Sequence, residues 1–126
     1  LQISSNVLWL PQMKRKELLK LISFCDVGAG EFLNEGVMMG STGYEILHNC
    51  KPLIQGKLDL KKIREITNKP MAPGFYINNI DELTEVLCNL YQDKELRNQL
   101  AEDSYNWRKQ YTGSASAQEI VKLLLN

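Results

Sequence analysis

Short apolar runs alternate with amphipathic, helix-length segments along this chain, and that order restricts the fold more than any other feature. Val7-Leu8-Trp9-Leu10, closed by Pro11, reads as a buried strand. Lys14 to Cys25, with Leu18, Leu19, Leu21 and Ile22, has helical periodicity, and Asp26-Val27-Gly28-Ala29 follows as a second short strand. A glycine-rich, irregular stretch leads to a helix that starts near Ser41-Thr42 and ends at Asn49-Cys50. Lys51-Pro52 then forces extended backbone before the strand Leu53-Ile54-Gln55. Asp59 caps a short helix through Ile66, residues 68–74 with Pro70 and Pro73 form a loop, and Phe75-Tyr76-Ile77 is a last strand. Asn79 with Glu82 has capping-box spacing and opens a helix through Tyr91; Asp93 starts another, running to about Tyr111. Ser116 with Glu119 predicts one more box before Ile120-Val121-Lys122-Leu123-Leu124-Leu125. Strands separated by helices in this way predict an α/β fold. We expect a doubly wound, Rossmann-like parallel sheet with helices on both faces and a helical C-terminal tail.

Composition narrows the function classes. A length of 126 residues suits one domain with a real core. Fifteen basic side chains balance fifteen acidic ones, which leaves no basic excess for nucleic acid. No apolar run approaches the roughly 20 residues that span a bilayer. Cys25, Cys50 and Cys88 are far apart with no CxxC, and His48 is the sole histidine, so no metal set is expected. The cysteines suit free, reduced thiols in a cytosolic core, and His48 with Cys50 points the wrong way on a helix for a catalytic pair. Leu1 opens almost directly onto a strand-like segment, and the expectation is a piece of a longer chain.

The chemistry-bearing stretch is Gly36-Val37-Met38-Met39-Gly40-Ser41-Thr42-Gly43-Tyr44-Glu45. In an open α/β sheet, ligands sit beyond the carboxyl ends of the strands, where loops enter helix N-termini. Glycines let the backbone approach a ligand, and the free N–H groups of the following helix suit a phosphate or diphosphate. Ser41 and Thr42 add hydroxyls, and Glu45, one turn further on, suits a ribose diol, which a charged acceptor bonds more strongly than a neutral one. Thr42 and Glu45 are also spaced as a capping box, in which case Glu45 serves its own helix. The pattern is neither GxGxxG after a first strand nor a P-loop with its Lys.

From Val7 to the C-terminus the chain resembles the C-terminal, nucleotide-sugar-binding half of a GT-B glycosyltransferase. It is most similar to the retaining group 1, family 4-like enzymes that build polysaccharides and glycolipids. The segments that carry the likeness are "ELLKLIS", Asp26-Val27, Gly40, Glu45-Ile46-Leu47-His48-Asn49-Cys50, Lys51-Pro52-Leu53-Ile54 and "INNIDELTEVLCNLYQDKELRNQLAEDSYNW". The resemblance implies that Glu45 holds the donor's ribose hydroxyls and that Gly40, Ser41 and Thr42 lie near its diphosphate. It also implies that Pro11-Gln12-Met13 contacts the nucleobase. The family's second Glu, eight residues before the ribose Glu, falls on Val37 here. Glu35 is the candidate replacement for touching the transferred sugar, with Glu31 as a weaker one.

On this resemblance residues 1–126 are a single donor-binding lobe of a two-lobe enzyme. The acceptor lobe and an Arg and Lys that neutralise donor phosphates would precede Leu1. The implied activity is hexosyl transfer from a UDP-, GDP- or ADP-sugar to a saccharide or lipid-linked acceptor, with no metal or other cofactor. The other reading is a GT-B-derived lobe that has lost catalysis and serves as a scaffold. Leu8 and Leu10 supply no acid at the first strand's end, which ranks a receiver-like regulatory domain low. Trp9 and Trp107 suit core or lobe packing rather than sugar stacking. The Lys14-Arg15-Lys16 cluster suits a solvated helix face. In a full-length enzyme it also suits an anionic membrane surface, so the expected location is the cytoplasm, with peripheral contact at the inner face of the membrane.

Overall fold

A computed structural model describes residues 6–32 and 39–125. The helices are α1 (Arg15–Phe24), α2 (Ser41–His48), α3 (Leu60–Thr67), α4 (Ile80–Gln92), α5 (Lys94–Tyr111) and α6 (Ser114–Leu125). The strands are β1 (Gly28–Ala29), β2 (Leu53–Gly56) and β3 (Phe75–Ile77), paired parallel in the order β1-β2-β3. Gly28 is opposite Leu53, and Ile54 opposite Phe75. The protein is thus an α/β structure with a small three-stranded parallel sheet.

The central strand shows why the sheet needs cover on both faces. Successive side chains of a strand point to opposite faces. Leu53 packs with Ile46 and Leu47 of α2, while its neighbour Ile54 packs with Ile77 and with Leu90 of α4. Every residue of β2 is buried, as expected of a parallel strand with helices over it. Close packing explains Gly28: a Cβ there would sit 2.6 Å from side-chain carbons of Ile46.

Helix ends follow sequence chemistry at most positions. Asp59 Oδ1 accepts from the Lys62 N–H at 3.0 Å, Asn79 Oδ1 from Glu82 at 2.9 Å, and Asp93 Oδ1 from Leu96 at 2.8 Å. Glu82 completes the α4 terminus one residue further back than a simple box, accepting from the Asn78 N–H at 2.8 Å. Those bonds hold its carboxyl below the usual Glu range, the Asn78 backbone donor first. The long helix α5 then ties the structure together. Arg108 Nη1 donates to the His48 carbonyl at the end of α2 at 2.7 Å, and Trp107 Nε1 donates to the Pro70 carbonyl at 3.1 Å.

Three expectations are corrected. Val7-Leu8-Trp9-Leu10 is not a strand, and Trp9 is 77% exposed rather than core. An apolar run becomes a strand only through ladder bonds to a neighbour, and β1, the edge strand nearest in sequence, spans only two residues. The sheet accordingly has three strands where four were expected. Ser116 caps nothing: α6 begins at Ser114, after Gly113 turns the chain in the left-handed region at φ 57°. Ser116 Oγ instead donates to the Tyr111 carbonyl, and Glu119 pairs with Lys69 at 3.4 Å. Cys25 and Cys88 are exposed free thiols, not core residues, and Cys50 is half-buried.

Candidate functional site

The site begins where β1 ends. Gly30 donates its N–H to the Ile54 carbonyl at 2.8 Å and extends the ladder by one bond. At Glu31 the buried side chain of Gln55, in β2, takes over. Its Oε1 accepts from the Glu31 N–H at 3.3 Å and its Nε2 donates to the Glu31 carbonyl at 2.5 Å. Gly56 adds a backbone bond to the same carbonyl at 2.9 Å. A primary amide can donate and accept at once, so one side chain satisfies both backbone groups of an extended residue. Residue 31 is therefore fixed at the carboxyl edge of the sheet.

Fixing Glu31 places its carboxylate against Gly40, at the position a Cβ on Gly40 would occupy. Gly40 is the N-cap residue of α2 and caps it without a side chain. Unpaired N–H groups and the helix dipole favour negative charge at such a terminus. Of the two acids considered for the transferred sugar, Glu31 is thus at the helix entrance. Glu35 lies outside the described residues, as do Gly36, Val37 and Met38.

Glu45 is not a capping residue. With Gly40 as the cap, it stands a full turn into α2, and it is only 13% exposed. Its Oε1 accepts from Nε of Arg15 at 2.8 Å, across 30 residues of sequence. Arg15 is the first residue of α1, two places after Met13, so this bond ties the start of α1 to α2. Gln12 is exposed and Met13 half-buried; Ser41 is exposed and Thr42 half-buried. Of the expected residues, Gly40, Ser41, Thr42 and Glu45 belong to α2 and its cap, and the Arg15–Glu45 bond links that helix to the start of α1, which follows Gln12 and Met13 in the chain.

Sequence reasoning missed Arg15, Gln55 and the approach of Glu31 to Gly40. Arg15 was legible only as a basic residue two places after Met13. Gln55 carried a better signal: a lone amide inside a fully buried strand must find partners.

Hollows lie elsewhere, among them two beside the sheet. One of about 350 Å³ sits between α2, α3 and α5, lined by Met39, Tyr44, Ile63, Met71 and Trp107 among others. Beside it Tyr76 donates its hydroxyl to the Ala72 carbonyl at 2.9 Å, and burial, with a smaller contribution from Tyr44, raises its pKa to about 12. The other, about 390 Å³, lies beyond the carboxyl ends of β2 and β3 and includes Phe32, Lys57, Asn78 and Asn79. Neither includes Glu45 or Arg15.

Among the described residues no group of His, Cys, Asp or Glu is arranged to hold a metal ion, and no helix is long and apolar enough to cross a membrane. Comparisons with family models, with curated proteins and with solved structures find no match.

Proposed function

We propose that this chain is the nucleotide-sugar-binding lobe of a GT-B glycosyltransferase, a doubly wound Rossmann-like unit that needs a second lobe for transfer. The observation that carries this is Glu45. It is a mostly buried carboxylate on the helix that follows the glycine-containing stretch of the sequence, free of any capping duty and oriented by Arg15. Its second oxygen suits a ribose hydroxyl, and its bond to Arg15 holds the first at the same place. Gly40, Ser41 and Thr42 would present backbone N–H groups and hydroxyls to the donor diphosphate. Glu31, close beside Gly40, is well situated for the transferred sugar's hydroxyls, a role the sequence alone gave first to Glu35.

In the complete enzyme the donor would lie across an open border and be enclosed by the acceptor lobe. That is consistent with Glu45 lining neither of the two hollows beside the sheet. Transfer of a hexosyl group to a saccharide or lipid-linked acceptor would then rest on electrostatic stabilisation of the leaving diphosphate. UDP-, GDP- and ADP-sugars are the donor classes, and cytoplasmic action, with peripheral contact at a membrane's inner face, fits lipid-linked acceptors.

Titration of the chain with UDP, GDP and ADP tests the proposal. Backbone resonances of residues 40–46 should move for at least one of them, and Glu45→Gln should weaken that binding roughly tenfold, the loss of a charge-assisted bond. Unmoved resonances with all three nucleotides end this reading. A second reading, a lobe without catalysis that serves as a scaffold, is favoured by Val37 at the family's second acidic position. In the full-length protein, turnover that collapses on Glu31→Gln or Glu35→Gln would remove it.

A further inference from the structure

We infer that the hollow between α2, α3 and α5 is a binding site for a flat aromatic acid, a ring system that carries a single carboxylate. Its volume of about 350 Å³ is within the size range of small-ligand sites. Three aromatic side chains line it as one strip. Tyr44 and Trp107 have ring centroids 6.4 Å apart, and Trp107 and Tyr111 5.8 Å. Rings attract one another at such separations, and a further planar ring gains the same contact from this strip. Met39 and Met71 are also in the lining, and thioether sulfur makes favourable contacts with aromatic rings.

The polar groups decide what the ring can carry. Trp107 Nε1 is committed to the Pro70 carbonyl at 3.1 Å. Thr67 Oγ1 donates to the Ile63 carbonyl at 2.8 Å and accepts from the Lys69 N–H at 3.2 Å. A hydroxyl-rich ligand such as a sugar would lose water in the hollow without gaining those partners, and that loss is costly. Lys69 is different. It is the one charged side chain among the described lining residues, and it is 29% exposed. An ammonium has three donors. Its Nζ uses one on Ser116 Oγ and one toward Glu119 Oε2, both at 3.4 Å, so a third remains. Glu119 is 66% exposed, and a long ion pair of that kind contributes little. A ligand carboxylate thus finds a cation beside an aromatic chamber and takes the third donor in a charge-assisted bond. Glu45 and Arg15 are not among the lining residues, so this site is independent of the nucleotide-sugar reading.

NMR titration of the chain with naphthoate and with the neutral naphthamide tests the inference. The Trp107 Nε1–H and the Met39 and Met71 methyl resonances should shift with naphthoate. Its dissociation constant should fall below about 1 mM, ordinary for a ligand of this size. Naphthoate should bind roughly fivefold more tightly than naphthamide, the share of one charge-assisted bond at a partly exposed site. Lys69→Met keeps the apolar stem and should bring the two constants together by weakening naphthoate. Glu119→Gln frees Lys69 of its competing carboxylate and should tighten naphthoate about threefold while naphthamide is unchanged. Glu119 is exposed, so this variant should keep the wild-type circular dichroism spectrum and decides the matter even where Lys69→Met does not fold. Trp107 and Met71 resonances that stay still with both compounds overturn the inference. So do equal wild-type affinities, a preference for naphthoate that survives Lys69→Met, or a Glu119→Gln variant that binds naphthoate no more tightly. Those patterns would mean an apolar hollow that selects no charge.

Discussion

At the scale of single residues, the candidate site depends on one position inside the sheet. Gln55 satisfies both backbone groups of Glu31 from inside the sheet. Gln55→Leu keeps the bulk but leaves the Glu31 N–H without its partner, while Gly56 still bonds the carbonyl. We expect a loss of about 1–3 kcal/mol in denaturant unfolding, the cost of an unmet polar group in a partly buried place. The Glu31 and Gly40 amide resonances should shift with it. Gly28→Ala tests packing in place of hydrogen bonding. The added methyl meets Ile46, itself 2% exposed and held between α2 and the sheet, so the neighbour has little room to give. A loss of about 1–3 kcal/mol is expected from such overpacking. A change below about 0.5 kcal/mol would mean that Ile46 repacks freely.

At the scale of elements, what could be read from sequence was what the chain decides locally. Asp59, Asn79 and Asp93 each cap the helix predicted for them, because an Asx side chain reaches the N–H three residues on with no help from the rest of the fold. Asp93 is also the C-cap of α4, so it sets the corner at which α5 leaves. Asp93→Ala should cost about 1 kcal/mol in thermal or denaturant unfolding, and Asp93→Asn much less, since Asn caps nearly as well. The misreadings have the opposite character. Val7 to Leu10 has strand composition, but pairing is a long-range decision that composition does not encode. Ser116 with Glu119 has box spacing, yet Gly113 had already turned the chain and started α6 two residues sooner. The site divides in the same way. Glu45 was placeable on α2 from periodicity, whereas its partner Arg15 lies 30 residues away and meets it only in the folded chain.

For the whole molecule, stability is held from both faces of one short sheet, and two titrating groups sit at its margins with opposite signs. Glu82 has a folded pKa below its ordinary value of 4.5, because the Asn78 N–H, then the Asn78 and Asn79 side chains, bond the charged form. The unfolded chain therefore takes up a proton first as the pH falls, and this contribution disappears below pH 4.5. Tyr76 behaves in reverse. Burial raises its pKa from 10.0 to about 12, so the unfolded chain loses the proton first. The neutral hydroxyl's contribution is complete below pH 10.0 and is lost as the pH rises toward about 12. Tyr76 lies on β3 against the cluster that joins α2 to the sheet, so its ionisation would put charge beside the apolar contacts on which that face depends. A denaturation series from pH 9 to 11.5 should show unfolding free energy falling with a slope that Tyr76→Phe removes. The difference accumulated between the two proteins should be at most about 3 kcal/mol, what two pKa units amount to. Phe also leaves the Ala72 carbonyl without its hydroxyl partner, so the variant should start lower at neutral pH by about 1 kcal/mol and meet the wild-type curve only in alkali. If the two curves instead run parallel across this range, Tyr76 does not couple the sheet's stability to pH.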